Sequence, residues 1–298
     1  MAREPSGLCG LAVVDKPAGW TSHDVVARAR KLLGERKVGH AGTLDPDATG
    51  ILLLGVGPAT RLLRFLTPLP KTYVCEIVLG RATTTLDDSG QTTGEWDMSS
   101  ASLADVGGAA ATLTGPIMQV PPMVSAVQVD GQRLYDLARQ GIEVERAPRP
   151  VTVHRFDVGE PVAPGVFPAE VECSSGTFVR SLAADLGAAL GGGAHLRALR
   201  RTAVGSFTAA DAVPLDQLTG AAVLPPVTAV RDLPVVRVTE DQATEVGHGK
   251  KLSATDVGAE GDGPWAVIDT SDRLLAVYER ADTGEGAARL RSVVTLPT

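Results

Sequence analysis

The sequence predicts an α+β fold, because strand-like and helix-like segments are mixed without a regular βαβ alternation. Residues 73–79, 151–156 and 166–173 have the alternating or β-branched composition of strands. Residues 178–190 instead carry apolar side chains at helical spacing. The chain has 298 residues, of which 44% are hydrophobic, and this is enough for a core of ordinary size. We therefore expect one large domain followed by a small one.

The N-terminal segment predicts a strand, a turn and a helix in that order. Residues 11–14 form a short apolar run typical of a buried strand, and residues 16–19 have a turn composition. Residues 21–24 resemble a helix N-cap, and Gly34 is a stop signal. The predicted apolar face of this helix consists of Val25, Ala29, Leu32 and Leu33.

A proline-rich stretch at residues 224–234 predicts a domain boundary. Beyond it, short strand candidates are separated by turn-rich segments, as in a small β-rich domain of about 65 residues. We predict a large domain, long enough to be a catalytic domain, at residues 1–232 and a small second domain at residues 233–298. The strand candidates of the second domain are residues 265–268, 274–278 and 290–296.

The bulk properties favour a cytoplasmic protein with reduced thiols. The sequence has no run of about twenty apolar residues, and residues 1–7 lack the basic-then-apolar pattern of a signal peptide. Cys9, Cys75 and Cys173 are odd in number and far apart, which argues against a disulfide framework or a zinc site.

The charge distribution leaves room for a nucleic-acid partner despite a net charge of −7. Residues 28–81 contain nine Lys or Arg and four Asp or Glu, whereas residues 82–118 contain five acids and no base. A protein with one basic RNA-facing surface could segregate its charges in this way. A mixed, solvated surface is the alternative explanation.

Several common cofactor and nucleophile motifs are absent from the sequence. It has no Gly-x-x-x-x-Gly-Lys-Ser/Thr loop, and the glycines at 55 and 57 lack the third glycine of a dinucleotide fold. It has neither His-x-x-x-His spacing nor a Gly-x-Ser-x-Gly elbow. We therefore expect no nucleotide cofactor, no metal and no serine-hydrolase chemistry.

Residues 38–50 concentrate Gly, Pro, Asp and His between the predicted N-terminal helix, whose other faces carry Arg28, Arg30 and Lys31, and an apolar run at residues 51–54. This composition is typical of a structured loop that presents polar side chains from a scaffold. From the residues alone, Asp45 ahead of Pro46 is a turn or cap carboxylate, and composition gives it no catalytic role.

The block Gly39-His40-x-Gly42-x-Leu44-Asp45-Pro46-x-Ala48-x-Gly50 resembles the catalytic loop of bacterial tRNA pseudouridine-55 synthases, the TruB family. The resemblance covers residues 9–205, with two departures: Gln128 stands where the family usually has Lys, and Phe178 where Tyr is frequent. Further motifs follow in the family's order, namely Lys16-Pro17-x-Gly19, Lys71-x-Tyr73, Thr83-Thr84-Thr85-Leu86-Asp87, Gln119-x-Pro121-Pro122-x-x-Ser125-Ala126, Leu134-Tyr135, Arg149-x-Val151, Cys173 to Arg180 and Gly193 to Arg201.

The resemblance implies a pseudouridine-synthase catalytic domain built on a mixed, largely antiparallel sheet with flanking helices. It also implies a small C-terminal β-rich domain similar to the RNA-binding modules called PUA domains. The implied activity is isomerisation of uridine 55 in the T loop of tRNA to pseudouridine. This reaction is redox-neutral and consumes no second substrate, so no cofactor is expected.

By the same resemblance, Asp45 is the essential catalytic carboxylate, and it must be ionised in a pocket that excludes water. Arg180 matches the family's arginine, whose permanent charge favours the ionised carboxylate. Attack of Asp45 on ribose C1′, attack on the base, and deprotonation of the sugar all require the same carboxylate, so the chemical route is left open.

The remaining implied site residues contact the substrate. Tyr73 would stack on the flipped uracil, with proton transfer as a second role, because the ordinary tyrosine pKa is about 10. His40 would help to hold the extruded base. Phe178 and Leu199 would line the pocket, although a core role for Leu199 is an equal alternative.

Extracting a uridine from a folded loop costs a few kcal/mol, which contacts to flanking phosphates must offset. The partner that the resemblance implies is tRNA, and we expect a monomer without an obligatory protein partner. The C-terminal segment is acidic, with seven Lys or Arg against eleven Asp or Glu at residues 237–291, so we expect it to bind the tRNA acceptor stem weakly or to be mainly structural. The candidate phosphate contacts are Arg28, Lys31, Lys37, Arg146, Arg149, Arg200 and Arg201.

Two other functions remain as alternatives. One is a pseudouridine synthase with a different RNA target, like the archaeal and eukaryotic relatives that use guide RNA and partner proteins. The other is an RNA-folding chaperone in which the loop at residues 38–50 is only a recognition surface. Chaperoning is also compatible with catalysis in the same protein.

Overall fold

The computed structural model describes residues 7–125, 127–129, 131–281 and 289–297. Residues 1–6, most of the segment predicted not to be a signal peptide, lie outside the described residues, as does Ala126 of the Gln119-to-Ala126 motif. The chain divides into two compact units. The first unit comprises Met1–Pro68 and Gly205–Thr298, and the second comprises Leu69–Val204.

The secondary structure mixes strands with short helices throughout the described chain. The strands are β1 (Gly10–Lys16), β2 (Val38–Ala41), β3 (Thr49–Val56), β4 (Lys71–Leu79), β5 (Arg81–Thr83), β6 (Thr92–Glu95), β7 (Gly115–Gln119), β8 (Gln128–Val129), β9 (Gln132–Arg133), β10 (Arg149–Val158), β11 (Val166–Cys173), β12 (Ala194–Val204), β13 (Phe207–Thr208), β14 (Val213–Pro214), β15 (Val235–Arg237), β16 (Leu252–Ser253), β17 (Trp265–Ile268), β18 (Leu274–Arg280) and β19 (Arg289–Thr295). The α-helices are α1 (Ser22–Leu33), α2 (Leu63–Leu66), α3 (Leu103–Thr112), α4 (Leu134–Arg139), α5 (Val179–Ala189) and α6 (Glu240–Gly247).

Helix α1 begins and ends where the local sequence predicts. Thr21 is its N-cap in a capping box with Asp24, and Gly34 is its C-cap with φ of 63°, a left-handed conformation that suits glycine. Of the predicted apolar face, Val25, Ala29 and Leu33 are buried, and Leu32 packs at the edge of the same cluster.

In the first unit, β1 pairs antiparallel with β3, and β3 also pairs antiparallel with β2. Strand β14 joins β1 in parallel. The apolar face of α1 shares one hydrophobic cluster with Val14 of β1, Leu52 and Leu54 of β3, and Leu215. The loop that carries Asp45 therefore connects two strands, β2 and β3, that contribute to the hydrophobic core.

The C-terminal part of the first unit contains a five-stranded sheet in the order β15-β17-β18-β19-β16. Strand β15 is parallel to β17, and the other pairs are antiparallel. Its core includes Trp265, Tyr278 and Leu290. The predicted strands at residues 265–268, 274–278 and 290–296 correspond to β17, β18 and β19.

The second unit contains the strand order β12-β4-β11-β10-β7, with every neighbouring pair antiparallel. Helix α5 contacts β12, and α3 contacts β10. The predicted strands fall within β4, β10 and β11, and the predicted helix at residues 178–190 is α5. The predicted α+β class with a largely antiparallel sheet is therefore confirmed.

Candidate active site

Asp45 is half-buried in the loop between β2 and β3, and the backbone before it is clamped by Ser22. The Ser22 hydroxyl accepts a hydrogen bond from the Leu44 N–H at 2.9 Å and donates to the Leu44 carbonyl at 3.3 Å. Ser22 is 1% exposed and Leu44 is 3% exposed, so water does not compete for these bonds. On the other side, the Ala48 N–H donates to the Asp45 carbonyl at 3.2 Å.

Lys16 ties the turn that precedes α1 to the residue that follows Asp45. Its ammonium group is fully buried and donates to the carbonyls of Pro17 at 3.0 Å, Trp20 at 2.6 Å and Pro46 at 2.8 Å. Three carbonyl acceptors compensate the desolvation of one ammonium ion. The Gly19 N–H adds a bond of 2.9 Å to the Pro46 carbonyl. Lys16 belongs to a motif of the family pattern, but no role for this lysine could be predicted from the sequence.

His40 lies on β2, opposite Leu54 of β3, and is half-buried. Its ring meets the exposed ring of His23 edge to face, with centroids 5.5 Å apart and an interplanar angle of 80°. His40 and Asp45 therefore leave the same β2–β3 segment, one from the strand and one from the loop. The sequence did not single out His23.

In the second unit, Tyr73 lies within β4, between Val171 of β11 and Arg201 of β12. It is 9% exposed, which leaves little of the phenol ring open to water within the sheet. The sequence predicted the strand and identified Tyr73 as a candidate site residue, and the structure places its side chain among buried neighbours.

Arg180 is the second residue of α5, and its side chain is 4% exposed. One terminal nitrogen donates to the Thr85 carbonyl at 2.8 Å, and the other donates to the Val124 carbonyl at 2.8 Å. The carboxylate of Asp87 lies 3.6 Å from the guanidinium. Asp87 is thus a carboxylate partner of Arg180 that the sequence reasoning missed, although it ends the quoted motif at residues 83–87.

The side chain of Asp87 is fixed by its own turn. Its Oδ1 accepts hydrogen bonds from the hydroxyls of Thr85 and Ser89, both at 2.5 Å, and from the Ser89 N–H at 3.1 Å. These donors leave Oδ2 directed at Arg180. An Asp followed two residues later by a Ser donor is a local pattern that could have identified the turn.

Gln119 clamps the start of α5 in the way that Ser22 clamps the Asp45 loop. Its side-chain amide accepts from the Phe178 N–H at 2.8 Å and donates to the Phe178 carbonyl at 3.1 Å. Gln119 is 2% exposed, and Phe178 is the half-buried N-cap residue of α5. The clamp therefore fixes the backbone two residues before Arg180.

Leu199 is half-buried in an irregular part of β12. The pairing of β12 with β4 shifts register between Arg197 and Arg200, and Ala198 has φ of 52°. A non-glycine residue in the left-handed region is strained, and such bulges redirect neighbouring side chains. The bulge determines where Leu199 points, and the sequence pattern did not predict it.

The candidate phosphate contacts differ in exposure. Arg28, Lys31, Lys37 and Arg149 are exposed, whereas Arg201 is 1% exposed. Burial makes Arg201 a poor phosphate contact within this group. Gln128, one of the two departures from the family pattern, is exposed on β8.

Three further observations concern the described residues. In the part of the chain that the structure describes, no group of three His, Cys, Asp or Glu side chains could hold a metal ion. Burial raises the pKa of Cys75 to about 12 and that of Cys173 to about 11. None of the helices among the described residues is long and apolar enough to cross a membrane.

Three family models match consecutive parts of the chain. Residues 30–179 match the N-terminal domain of the TruB family pseudouridylate synthases. Residues 180–227 match the tRNA pseudouridylate synthase B C-terminal domain, and residues 233–297 match the C-terminal model of tRNA pseudouridine synthase II.

Named relatives match over nearly their whole length. The tRNA pseudouridine synthase B of Arthrobacter sp. (strain FB24) is 47% identical over 289 residues, covering 93% of this chain and 94% of that protein. The protein of the same name from Rhodococcus jostii (strain RHA1) is 48% identical over 283 residues, covering 92% of both chains.

Solved structures are similar over 97% of this chain. A Cbf5-Nop10-Gar1 complex contains a chain that is 27% identical, with a TM-score of 0.75 and 86% of that chain covered. An H/ACA ribonucleoprotein bound to a substrate RNA containing 2′-deoxyuridine gives 25% identity, a TM-score of 0.74 and 85% coverage of that chain.

Proposed function

This chain belongs to the TruB family of pseudouridylate synthases, and we propose that it isomerises uridine 55 in the T loop of tRNA to pseudouridine with Asp45 as the essential carboxylate. The assignment of Asp45 rests on one observation, which is the way its loop is held in the structure. The family's block at residues 39–50 spans the end of β2, the loop and the start of β3, and both flanks of Asp45 are held by buried side chains, Ser22 and Lys16.

The reaction breaks the bond from ribose C1′ to uracil N1, turns the base, and joins C1′ to C5. The N1 atom regains a proton and C5 loses one, so atoms and electrons balance without a second substrate. A carboxylate that attacks, or that removes a proton, gains rate from being fixed near its target. The clamps on the Asp45 loop supply that rigidity and reduce the reorganisation required during the reaction.

We assign to Arg180 the charge that favours the ionised form of Asp45, as the family resemblance implies. The contacts of Arg180 support a fixed guanidinium, since two carbonyls and the Asp87 carboxylate hold it within the second unit. A guanidinium that is already oriented loses little conformational entropy when it acts on an anion.

The roles of the other site residues follow the same resemblance. Tyr73 stacks on the flipped uracil, where a base-to-aromatic contact contributes roughly 1–3 kcal/mol. His40 helps to hold the extruded base. Phe178 and Leu199 line the pocket, and phenylalanine at position 178 keeps the apolar face but has no hydroxyl.

The domain organisation and the cellular setting are part of the proposal. Residues 233–298 form a PUA-like domain, a reading supported by the five-stranded sheet β15 to β19. The enzyme acts on tRNA in the cytoplasm as a monomer and needs no obligatory protein partner. The solved relative crystallised with Nop10 and Gar1 makes the last point worth a direct test.

The purified chain and its Asp45→Asn variant should be incubated with a tRNA transcript carrying tritium at uracil C5. We expect the wild type alone to release close to one equivalent of tritium per tRNA, because C5 loses its hydrogen when it bonds to C1′. A transcript in which uridine 55 is replaced by cytidine is the matched substrate control and should release none. Release by the Asp45→Asn variant at even a tenth of the wild-type rate would contradict the role of Asp45. Activity that required added proteins would favour the guide-RNA class.

A further inference from the structure

His195 is a buried polar residue that the assigned roles do not use. It lies at the start of β12 and is fully buried. Its Nδ1 lies 3.0 Å from the Arg81 carbonyl oxygen. A carbonyl oxygen only accepts hydrogen bonds, so Nδ1 carries a hydrogen and donates it.

The other ring nitrogen faces a pair of oppositely charged side chains. His195 Nε2 lies 2.8 Å from the Asp88 carboxylate and 3.0 Å from the guanidinium of Arg81. The same guanidinium nitrogen lies 3.0 Å from the Asp88 carboxylate, which closes a triangle. A neutral ring accepts from Arg81 and a charged ring donates to Asp88, so Nε2 has a partner in either protonation state.

These contacts hold both ends of the turn that carries Asp87. Arg81 begins β5, the short strand that leads into the turn, and Asp88 directly follows Asp87. Next to His195, the Leu196 N–H donates to the Leu86 carbonyl at 3.0 Å. His195 and Leu196 of β12 therefore contact three points along this segment. These are Arg81 before the turn, Leu86 within it, and Asp88 directly after Asp87.

The turn needs such support because its backbone is strained. Leu86 has φ of 62°, in the left-handed region that a branched side chain rarely adopts. Strained residues persist only where the surrounding contacts determine their conformation. The conformation of Leu86 in turn sets the direction of Asp87, whose Oδ2 faces Arg180 at 3.6 Å.

We propose that His195, with Arg81 and Asp88, is a positioning residue that fixes the Asp87 turn and thereby holds Asp87 against Arg180. The catalytic consequence rests on the proposed function, whereas the structural consequence does not. His195 touches no reacting atom in this scheme, and it acts on the reaction only through Asp87.

The first test measures tRNA turnover by the His195→Leu variant. Displacing a group by about 1 Å can cost a hundredfold in rate, so we expect kcat to fall roughly tenfold to a hundredfold. The KM for tRNA should change by less than roughly threefold, because phosphate contacts are untouched. The His195→Asn variant keeps one donor for the Arg81 carbonyl and should recover most of the loss. His154, an exposed histidine on β10, supplies the matched control His154→Leu, which should leave kcat unchanged.

A double-mutant cycle separates positioning from general destabilisation. In the Asp87→Asn background, His195→Leu should cause no further fall in kcat, because its target is already lost. Independent, multiplicative effects of the two substitutions would overturn the proposal. If the leucine variant does not fold, Asp88→Asn at the exposed end of the triangle enters the same cycle.

Hydrogen exchange tests the anchor without any need for activity. In the His195→Leu variant, the backbone amides of Leu86, Gly90 and Leu196 should exchange faster than in the wild type, because their acceptors belong to the anchored turn. Unchanged exchange at these amides would overturn the anchor. An inactive wild-type chain with the expected exchange pattern would instead contradict the proposed function and leave the anchor standing.

Discussion

The ammonium nitrogen of Lys16 lies 2.8 Å from the carbonyl oxygen of Pro46, thirty positions further along the chain. This contact joins the end of β1 to the residue after Asp45. Lys16 is fully buried, so its ammonium group relies on protein carbonyls for its hydrogen bonds. Loss of the ammonium would therefore affect both the stability of the fold and the geometry of the Asp45 loop.

The Lys16→Met variant should unfold more easily and turn over more slowly. It removes three hydrogen bonds from a charged donor to the carbonyls of Pro17, Trp20 and Pro46, and such bonds contribute about 1.5–3 kcal/mol each. These three residues are exposed, so water can replace part of the lost bonding. Because relaxation recovers part of that, we expect a loss of about 2–4 kcal/mol in the free energy of unfolding, measured by urea titration. The exposed Lys251→Met control should stay within about 0.5 kcal/mol of the wild type.

The Ser22→Ala variant tests the clamp on Leu44. Both hydrogen bonds to the Leu44 backbone disappear, and the expected loss of stability is about 1–2 kcal/mol. Because the clamp lies beside Asp45, kcat should fall while KM for tRNA stays close to the wild-type value. Tritium-release kinetics at saturating tRNA check this split, with Ser271→Ala at an exposed turn as the control. A rise in KM with unchanged kcat would show that the loop binds RNA rather than positioning the carboxylate.

The Asp87→Asn variant should impair catalysis through Arg180. The amide retains an oxygen for the donors at Thr85 and Ser89 but removes the charge that faces the guanidinium. We expect kcat to fall roughly tenfold to a hundredfold. Asp97→Asn is a close control, because Asp97 accepts from the backbone and hydroxyl of Ser99 in the same local pattern. Equal effects of the two substitutions would assign Asp87 a role in the turn alone.

The buried thiols should make the protein sensitive to alkaline pH. The pKa of Cys75 is raised to about 12 by burial, whereas an unfolded cysteine titrates near 9. Above pH 9 the unfolded chain loses this proton while the folded chain keeps it, so stability falls as the pH rises towards 12.

Lys71 acts in the opposite direction, because burial lowers its pKa from 10.5 to about 8 and stability rises over that interval. The thiol contribution is therefore isolated by comparing wild type with Cys75→Ala. Urea titrations at a series of pH values from 8 to 11 give the free energy of unfolding at each pH. The slope of this free energy against pH should be less negative for the variant than for the wild type. Identical slopes would show that the Cys75 thiol titrates alike in both states.

The basic side chains on α1 and just after it should contribute to tRNA affinity. Replacing the exposed Arg28, Lys31 and Lys37 by glutamine should raise KM and leave kcat unchanged. Each lost phosphate contact should reduce the slope of log affinity against log salt by about 0.7–0.9. Binding measured across a salt series checks this, and an unchanged slope would place the phosphate contacts elsewhere.

Several features of the fold could be read from local sequence because their causes are local. The limits of α1 follow from the Thr21–Asp24 capping box and the left-handed Gly34. The alternation of buried side chains along β4 follows from the two-residue repeat of a strand. The Asp45 loop was recognisable because its residue types and spacing are specific to one family.

Other features depend on residues far apart in the chain, and no periodic pattern in the sequence predicts them. Gln119 clamps Phe178 across 59 positions, and Ser22 clamps Leu44 across 22 positions. The bulge at Ala198, which sets the direction of Leu199, arises from a register shift between β12 and β4. Such contacts are selected by packing and burial together, so they appear only once the strands are in place.

The sequence by itself determined the family, the α+β class and the identity of Asp45 as the candidate carboxylate, because these depend on local patterns and on motif order. The tertiary structure decided that Arg180 faces Asp87, that Lys16 ties Pro46 to the preceding turn, and that His195 anchors the Asp87 turn. The physical reason is that a buried polar group must find partners wherever the folded backbone brings them, and those partners are distant in sequence.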